Sequence, residues 1–250
     1  MRPIASLVGA VALMGAVACE AAGYAIVSLI GSELTVVGAQ PVGSTNIDRN
    51  NYSSVPLPDG VFDRTVFNAV DRAVLARKGQ DTTSLLRMPV ADARAAFVDG
   101  SDARRGVAVV VAAVRPAATQ AGTERLVIIA PFRSVPMMAT RDGHFGTGRV
   151  AGLGLYVDRM TWMEREQSGD AHPGFLGLFA NFRVLVVDVH NGAVLADDYV
   201  TTGTTYTATQ SSSRDPMTAI SADEKVRVLQ WLVDREIARI LPSLLVKADP

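Results

Sequence analysis

The stretch Asn181 to Thr202 restricts the fold more than any other part of this chain. Phe182 to Val189 is rich in β-branched and aromatic residues, His190-Asn191-Gly192 supplies turn chemistry, and Ala193 to Val200 returns. That pattern is a β-hairpin, and the remaining chain is what pairs with it or covers it. Two registers fit the turn. A two-residue turn at Asn191-Gly192 pairs Val189 with Val194, and a three-residue loop with a left-handed Gly192 in a bulge pairs Val189 with Ala193. The D-x-x-x-G spacing of Asp188 and Gly192 favours the bulged form.

Function is first constrained at the N-terminus. Arg2 is a short positive region, Ile4 to Val17 is uncharged and apolar, and Ala16-Val17-Ala18 is a small-residue cleavage site, so residues 1–18 form an expected secretory signal peptide. The apolar run is shorter than the roughly 20 residues a membrane-spanning helix needs. The only cysteine, Cys19, follows that site directly and is the lipidation candidate; Ala16 stands where a lipobox prefers leucine. Ordinary cleavage that leaves an incidental thiol is the alternative. A single cysteine excludes an internal disulfide. With 24 basic and 25 acidic residues and no basic block, the composition gives no reason to expect a nucleic-acid partner.

The mature chain, 19–250, reads as one globular domain without an internal linker. A first strand is expected near 24–30, with a continuation near 34–37, and the Gly-, Pro- and Asn-rich residues 38–59 read as a long loop whose tip, 46–52, is a candidate contact surface. Asp59 is the N-cap of a helix over 61–77, in which Phe62, Val66, Ala69, Val70 and Ala73 share a face and Gly79 follows the last turn. A short strand is expected at 85–90, a brief helix at 92–98, and a helix over 103–121 kinked near Pro116. Strands follow at 125–133 and 149–158, separated by a polar loop over 134–148, and 160–173 reads as a loop. After the hairpin, 203–220 is expected to be a mobile loop. Ser221 and Glu224 then open a helix over 222–241, with Pro242 as its end.

No motif carries a reaction. The glycines at 143, 146, 148, 152 and 154 do not fit G-x-G-x-x-G and precede no Lys-Ser/Thr pair, so glycines in a twisted hairpin explain them better than a phosphate cradle. The three histidines lack zinc-site spacing, and no cofactor or metal is expected. Asp197 and Asp198 are adjacent on a strand and point to opposite faces, so without a bulge they cannot form a side-by-side acid/base dyad. Met160, Trp162 and Met163 could line a partner groove or fold over the core. The residues to which an alternative hydrolase reading attaches are His144, Asp158 and Ser134, around the 143–158 glycine-rich segment; no G-x-S-x-G elbow accompanies them.

Residues YAIVSLIGSELTVVG, VFDRTVFNAVDRAVL, GLGLYVDRM and FRVLVVDVHNGAVL resemble an uncharacterised family of exported proteobacterial proteins, a likeness that carries no activity. In architecture the chain is also similar to periplasmic lipoproteins of the curli-assembly and penicillin-binding-protein-activator type. It shares their early strand, helix, Ala121-Gly122 entry into a strand, hairpin and final helix. It differs in having Asn191 where threonine is usual, and in about 40 extra residues between Arg133 and Gly174.

The expected fold is α/β of the α+β variant: a mixed, largely antiparallel sheet of about five strands with helices on one face. The expected function is that of a non-enzymatic cell-envelope protein that binds or assembles with another envelope protein or cell-wall component, in the periplasm and anchored to the membrane if Cys19 is lipidated.

Overall fold

An 18-residue strand, β9 (Ala171–Asp188), is the spine of the molecule. The computed structural model describes residues 23–40, 48–58, 60–77, 81–88, 90–98, 103–140, 143–164, 171–207 and 215–249. The expected signal peptide, Cys19, residues 46 and 47 of the 46–52 tip, the caps Asp59 and Gly79, and the centre of the expected mobile loop lie outside these residues.

One edge of β9 pairs along its length with β10 (Val194–Tyr206), from Leu176↔Tyr206 to Val187↔Val194. Its other edge serves two strands in turn. β8 (Gly152–Glu164) pairs with residues 171–181, and β5 (Thr123–Pro131) pairs with residues 182–188. The changeover falls between Gly152↔Asn181 and Pro131↔Phe182. Beyond β5 lie β1 (Gly23–Ser28) and β4 (Thr82–Leu85), both parallel to it; beyond β8 lie β2 (Glu33–Gly38) and β3 (Asn51–Pro56). β1 and β2 run the same way, as do β5 and β8. The sheet is therefore two half-sheets end to end, joined by β9 and β10 across a seam. A small hairpin, β6 (Met138–Thr140) and β7 (Gly143–Phe145), pairs with β10 at Thr204↔Ala139.

Helices cover both faces. α1 (Val61–Arg77) and α4 (Ala222–Ala248) bury Phe62, Val66, Leu232 and Ile237 against Tyr24, Ile26, Val127, Ile129, Val184 and Val186. α2 (Val90–Val98) and α3 (Ala103–Gln120) bury Phe97, Val107, Val110 and Val114 against Ala25, Val27, Leu126, Ile128, Leu185 and Val187. Even and odd residues of one strand thus enter different cores, which explains the near-continuous apolar runs of β1, β5 and β9. A third, smaller core of Val37, Met138, Val150, Tyr156, Phe175 and Phe179 lies on the α2–α3 face beyond the seam.

The mixed α+β class and the one sheet with helices agree with the sequence reading, but several particulars are corrected. The sheet has ten strands, not about five, and helices pack on both faces, not one. The expected 38–59 loop contains β3; every residue of that edge strand is exposed, so no apolar alternation marks it. The strand expected at 85–90 is instead β4, and α2 begins at Val90. The 134–148 loop holds β6 and β7, and within the expected 160–173 loop the described residues 160–164 and 171–173 belong to β8 and β9. β10 reaches Tyr206, inside the expected mobile loop, and a 3-10 turn at Pro216–Thr218 lies at its far end.

Pro242 lies within α4 and does not end it. Leu244, Leu245 and Ala248 remain buried beyond it, and apolar burial of about 1.5–3 kcal/mol per large side chain offsets the hydrogen bond lost at the proline. At the start of α4, Ser221 Oγ accepts from Glu224 N–H at 3.1 Å as expected, while the Glu224 carboxylate meets Arg227. The opening hairpin closes on neither expected register. Gly192 N–H donates to Asp188 O and Asp188 N–H to Ala193 O, both 2.9 Å, so the loop has four residues, Val189 to Gly192. Gly192 is left-handed (φ +74°) as expected, but the bulge sits between Val194 and Ala196. The Asp188 carboxylate draws the loop in by accepting from His190 and Asn191 N–H, and Val189 N–H is diverted to Glu124 O.

Leu244→Ala is expected to destabilise the protein by about 2–5 kcal/mol, as much as Leu232→Ala, in urea unfolding. If α4 ended functionally at Pro242, Leu244→Ala would leave the midpoint unchanged.

Candidate functional site

The three parallel strands lie in the order β4-β1-β5, with α1 crossing on one face and α2–α3 on the other. Strand order therefore reverses between β1 and β5, and ligands of open α/β sheets bind in the crevice beyond the carboxyl ends at such a reversal. In this chain that crevice coincides with the seam. It opens into a cleft of about 840 Å³.

The cleft is built from three sides. Its floor is the β2–β3 ribbon, where the partners Glu33↔Pro56 and Thr35↔Ser54 share a face, with Tyr52 next along. One wall is α2, which presents Ala91, Arg94, Ala95 and Val98 at helical spacing while Ala93 and Phe97 face the core. The other wall is the pair of segments that cross the seam, contributing Arg133 and Arg149 to Ala151. These segments are held by a two-way backbone bridge between Ser134 and Val150 (2.9 and 2.8 Å) and by Asn181, whose Nδ2 donates to both Ser134 O and Val150 O at 3.3 Å. Asn181 is fully buried, and its Oδ1 has no hydrogen-bond partner among the described residues.

Three arginines against one glutamate give the lining a net charge of +2. Arg94 donates Nη1–H to Glu33. Burial pushes its pKa down, and its Nε is buried without a partner. Arg133 and Arg149 are exposed and have no ionic partner among the described residues. Arg149 is fixed through its backbone. Asn50 Nδ2 donates to Thr147 O at 2.9 Å, the Thr147 and Tyr156 hydroxyls are 2.7 Å apart, and the Tyr52 hydroxyl donates to Asp48. Gly148 lies beneath this clasp at φ +80°, where an added Cβ would stand 2.7 Å from Asn50 Nδ2 and Asp48 Oδ2 and closer still to the Tyr52 oxygen. The Tyr52 phenol is pushed up to about 12, first by burial and then by its hydrogen bond to Asp48.

The residues singled out from the sequence do not form this site. Asp158 is buried and accepts from Met160 N–H (2.7 Å), Thr161 N–H (2.8 Å) and Thr161 Oγ1 (2.8 Å), so its carboxylate closes its own turn. His144 is exposed on β7 opposite Ala139, and Ser134 serves the bridge with Val150. No hydrogen bond joins any two of the three. Ser134 is level with Asn181 whereas Asp158 is opposite Phe175, six strand residues or about 20 Å away. Asp197 and Asp198 diverge as expected: Asp197 meets Arg183, and Asp198 Oδ1 accepts from Tyr199 N–H. Of the Met160–Met163 group, Met160 is exposed. Among the described residues no cluster of three or more His, Cys, Asp or Glu could hold a metal. Sequence reading missed Arg94, Arg133 and Arg149. The one available signal was that Arg133 ends a strand and Arg149 begins the next, with nothing acidic beside them.

No family model matches the chain, and no curated protein is similar to it at a significant level. Among solved structures it is similar to a hypothetical protein from Chlamydia trachomatis, at 10% identity over 90% of this chain and 98% of that one. The TM-score is 0.33, a likeness too low to carry an argument.

Gly148→Ala is expected to cost about 1–3 kcal/mol and to break the clasp, because it combines a strained φ with steric overlap. Loss of protection at the Thr147–Arg149 amides in hydrogen exchange would report it. Raising the pH provides a second test. A phenol whose folded pKa lies above the unfolded value near 10 contributes stability that is complete below about pH 10 and lost as pH rises through about 12. Phenolate absorbance should show late-titrating groups, since burial also raises Tyr156 and Tyr206, and Tyr52→Phe should remove one of them.

Proposed function

We propose that this chain is an exported cell-envelope protein that acts by binding or assembling with another envelope component, and that the seam cleft is its binding surface. The observation that carries the reading is the coincidence of a topological reversal, an 840 Å³ concavity and three arginines from separate elements. The volume falls in the range of small-molecule sites, so the cleft suits a compact group or the end of a larger molecule. Export rests on Arg2, the apolar run from Ile4 to Val17 and the Ala16-Val17-Ala18 site, with Cys19 as the lipid acceptor if the protein is anchored. Among the described residues no helix is long and apolar enough to cross a membrane.

The test compares the wild-type chain with Ala95→Trp, which fills the cleft from the exposed face of α2 and leaves Ala93 and Phe97 in the core. Wild-type protein is expected to retain a reproducible component from envelope extracts, and A95W to lose at least 80–90% of it, equivalent to about 1.4 kcal/mol or more. Equal retention by both proteins, or none by either, would count against the cleft. Intact-mass analysis of the mature protein from membrane and periplasmic fractions is expected to show a chain beginning at Cys19, with the added mass of acyl chains if it is anchored. A mature chain that still carries residues 1–18 would remove the export reading.

A further inference from the structure

We infer that Arg133 and Arg149 form an oxyanion pincer that takes a phosphate dianion, free or esterified, into the seam cleft. The inference rests on the reading of the cleft as the binding surface and adds the chemistry of what it holds.

The geometry begins with the Ser134–Val150 bridge. In an antiparallel pair centred on these residues, Arg133 lies opposite Ala151 and Arg149 opposite Val135, so the two arginines are diagonal neighbours on one side of the ribbon. Diagonal neighbours stand about 7–8 Å apart, with their Cβ atoms somewhat closer, near enough for two long side chains to meet on one group between them. Both line the cleft, both are exposed, and neither has an ionic partner among the described residues. Among the described residues, the acidic groups that border the cleft are already engaged. Glu33 is taken by Arg94, and Asp48 accepts from Asn50 N–H at 3.1 Å through one oxygen and from the Tyr52 hydroxyl through the other.

Two free guanidinium groups present two positive charges and planar forks of N–H donors. They match a tetrahedral dianion better than a planar monoanion, because a phosphate offers three terminal oxygens and about twice the charge. The surroundings suit an ester as well as the free ion. The Ser32, Thr35 and Ser54 hydroxyls line the floor, and Ala91, Ala95 and Val98 give a shallow apolar wall that the carbon skeleton of a small phosphorylated molecule can cover. Pre-organisation strengthens the case. Arg149 is held by the Asn50–Thr147–Tyr156 clasp, and Arg133 is held by the bridge, so little backbone order remains to be lost on binding.

The experiment is a calorimetric and NMR titration of the full mature chain with inorganic phosphate, glucose 1-phosphate and glucuronate, repeated at two salt concentrations. Glucose 1-phosphate or inorganic phosphate is expected to bind at least tenfold more tightly than glucuronate, to shift the Arg133 and Arg149 side-chain resonances, and to weaken as salt rises. Tighter binding of the ester assigns the site to a phosphorylated molecule, and equal binding assigns it to the free anion. R133Q and R149Q are each expected to lose about tenfold, and the double variant to lose detectable binding; all are surface substitutions whose folding is checked by their urea midpoints. Glucuronate binding as tightly as the phosphates, or phosphate binding unchanged in the double variant, would overturn the pincer. The A95W comparison separates the two levels. Extract capture lost with A95W but kept with R133Q/R149Q removes the pincer and leaves the cleft, whereas capture unaffected by any of them removes both.

Discussion

The structure depends on the length of β9. A strand of 18 residues can serve two neighbours on one edge, and this one does so, giving residues 171–181 to β8 and 182–188 to β5. All else follows from where that edge changes hands. β1 and β2 are nearly one strand, interrupted by residues 29–32. β5 and β8 are nearly one strand as well, interrupted by residues 132–151. Both interruptions fall at the level of Asn181, so chain that would otherwise be buried ladder is freed to make walls. Asn181 is the polar residue that ties the gap together, its Nδ2 donating to Ser134 O and Val150 O, the same carbonyls through which the two segments bridge each other.

Much of this was legible in the sequence, and the reasons for what was not are physical. The two strands of the hairpin, α1 and the start of α4 were legible because their residue patterns and their turn or cap residues are local, whereas the Val107–Val111 run of α3 has strand composition and its period alone does not distinguish helix from strand. β3 was not, because an edge strand exposed along both faces has nothing apolar to repeat; its pairing is carried by backbone groups opposite β2. Pro242 was misleading because its local cost is outweighed by burial of Leu244 and Leu245, which no local rule weighs. The presence of helices on both faces could have been read from Ala25-Ile26-Val27 and Leu126 to Pro131, where consecutive residues are apolar and a one-sided strand would alternate.

The candidate site was the least legible part. Reading by residue type directed attention to His144, Asp158 and Ser134, near the glycine-rich segment, and the segment does border the cleft. Its contribution is Arg149, not the histidine. Arg94 and Arg133 come from an exposed helix face and a strand end, positions at which arginine is ordinary. Only topology brings them together, and topology depends on which edge of β9 each strand takes. A carboxylate such as Asp158 looks chemical in sequence and proves to be a turn-former in three dimensions, since two backbone amides and a hydroxyl use its oxygens.

The seam has a mechanical consequence. Among the described strands only β9 and β10 pass through it unbroken, so any flexing of one half-sheet against the other is resisted by that pair and by the core under α1 and α4, which holds residues of both halves. The walls of the cleft belong to opposite halves: α2 rides on β1 and β5, while the β2–β3 floor rides on β8. Arg94 and Glu33 reach across between them. The Arg94–Glu33 ion pair therefore ties together two walls that belong to different half-sheets, on the face opposite the core that both halves share.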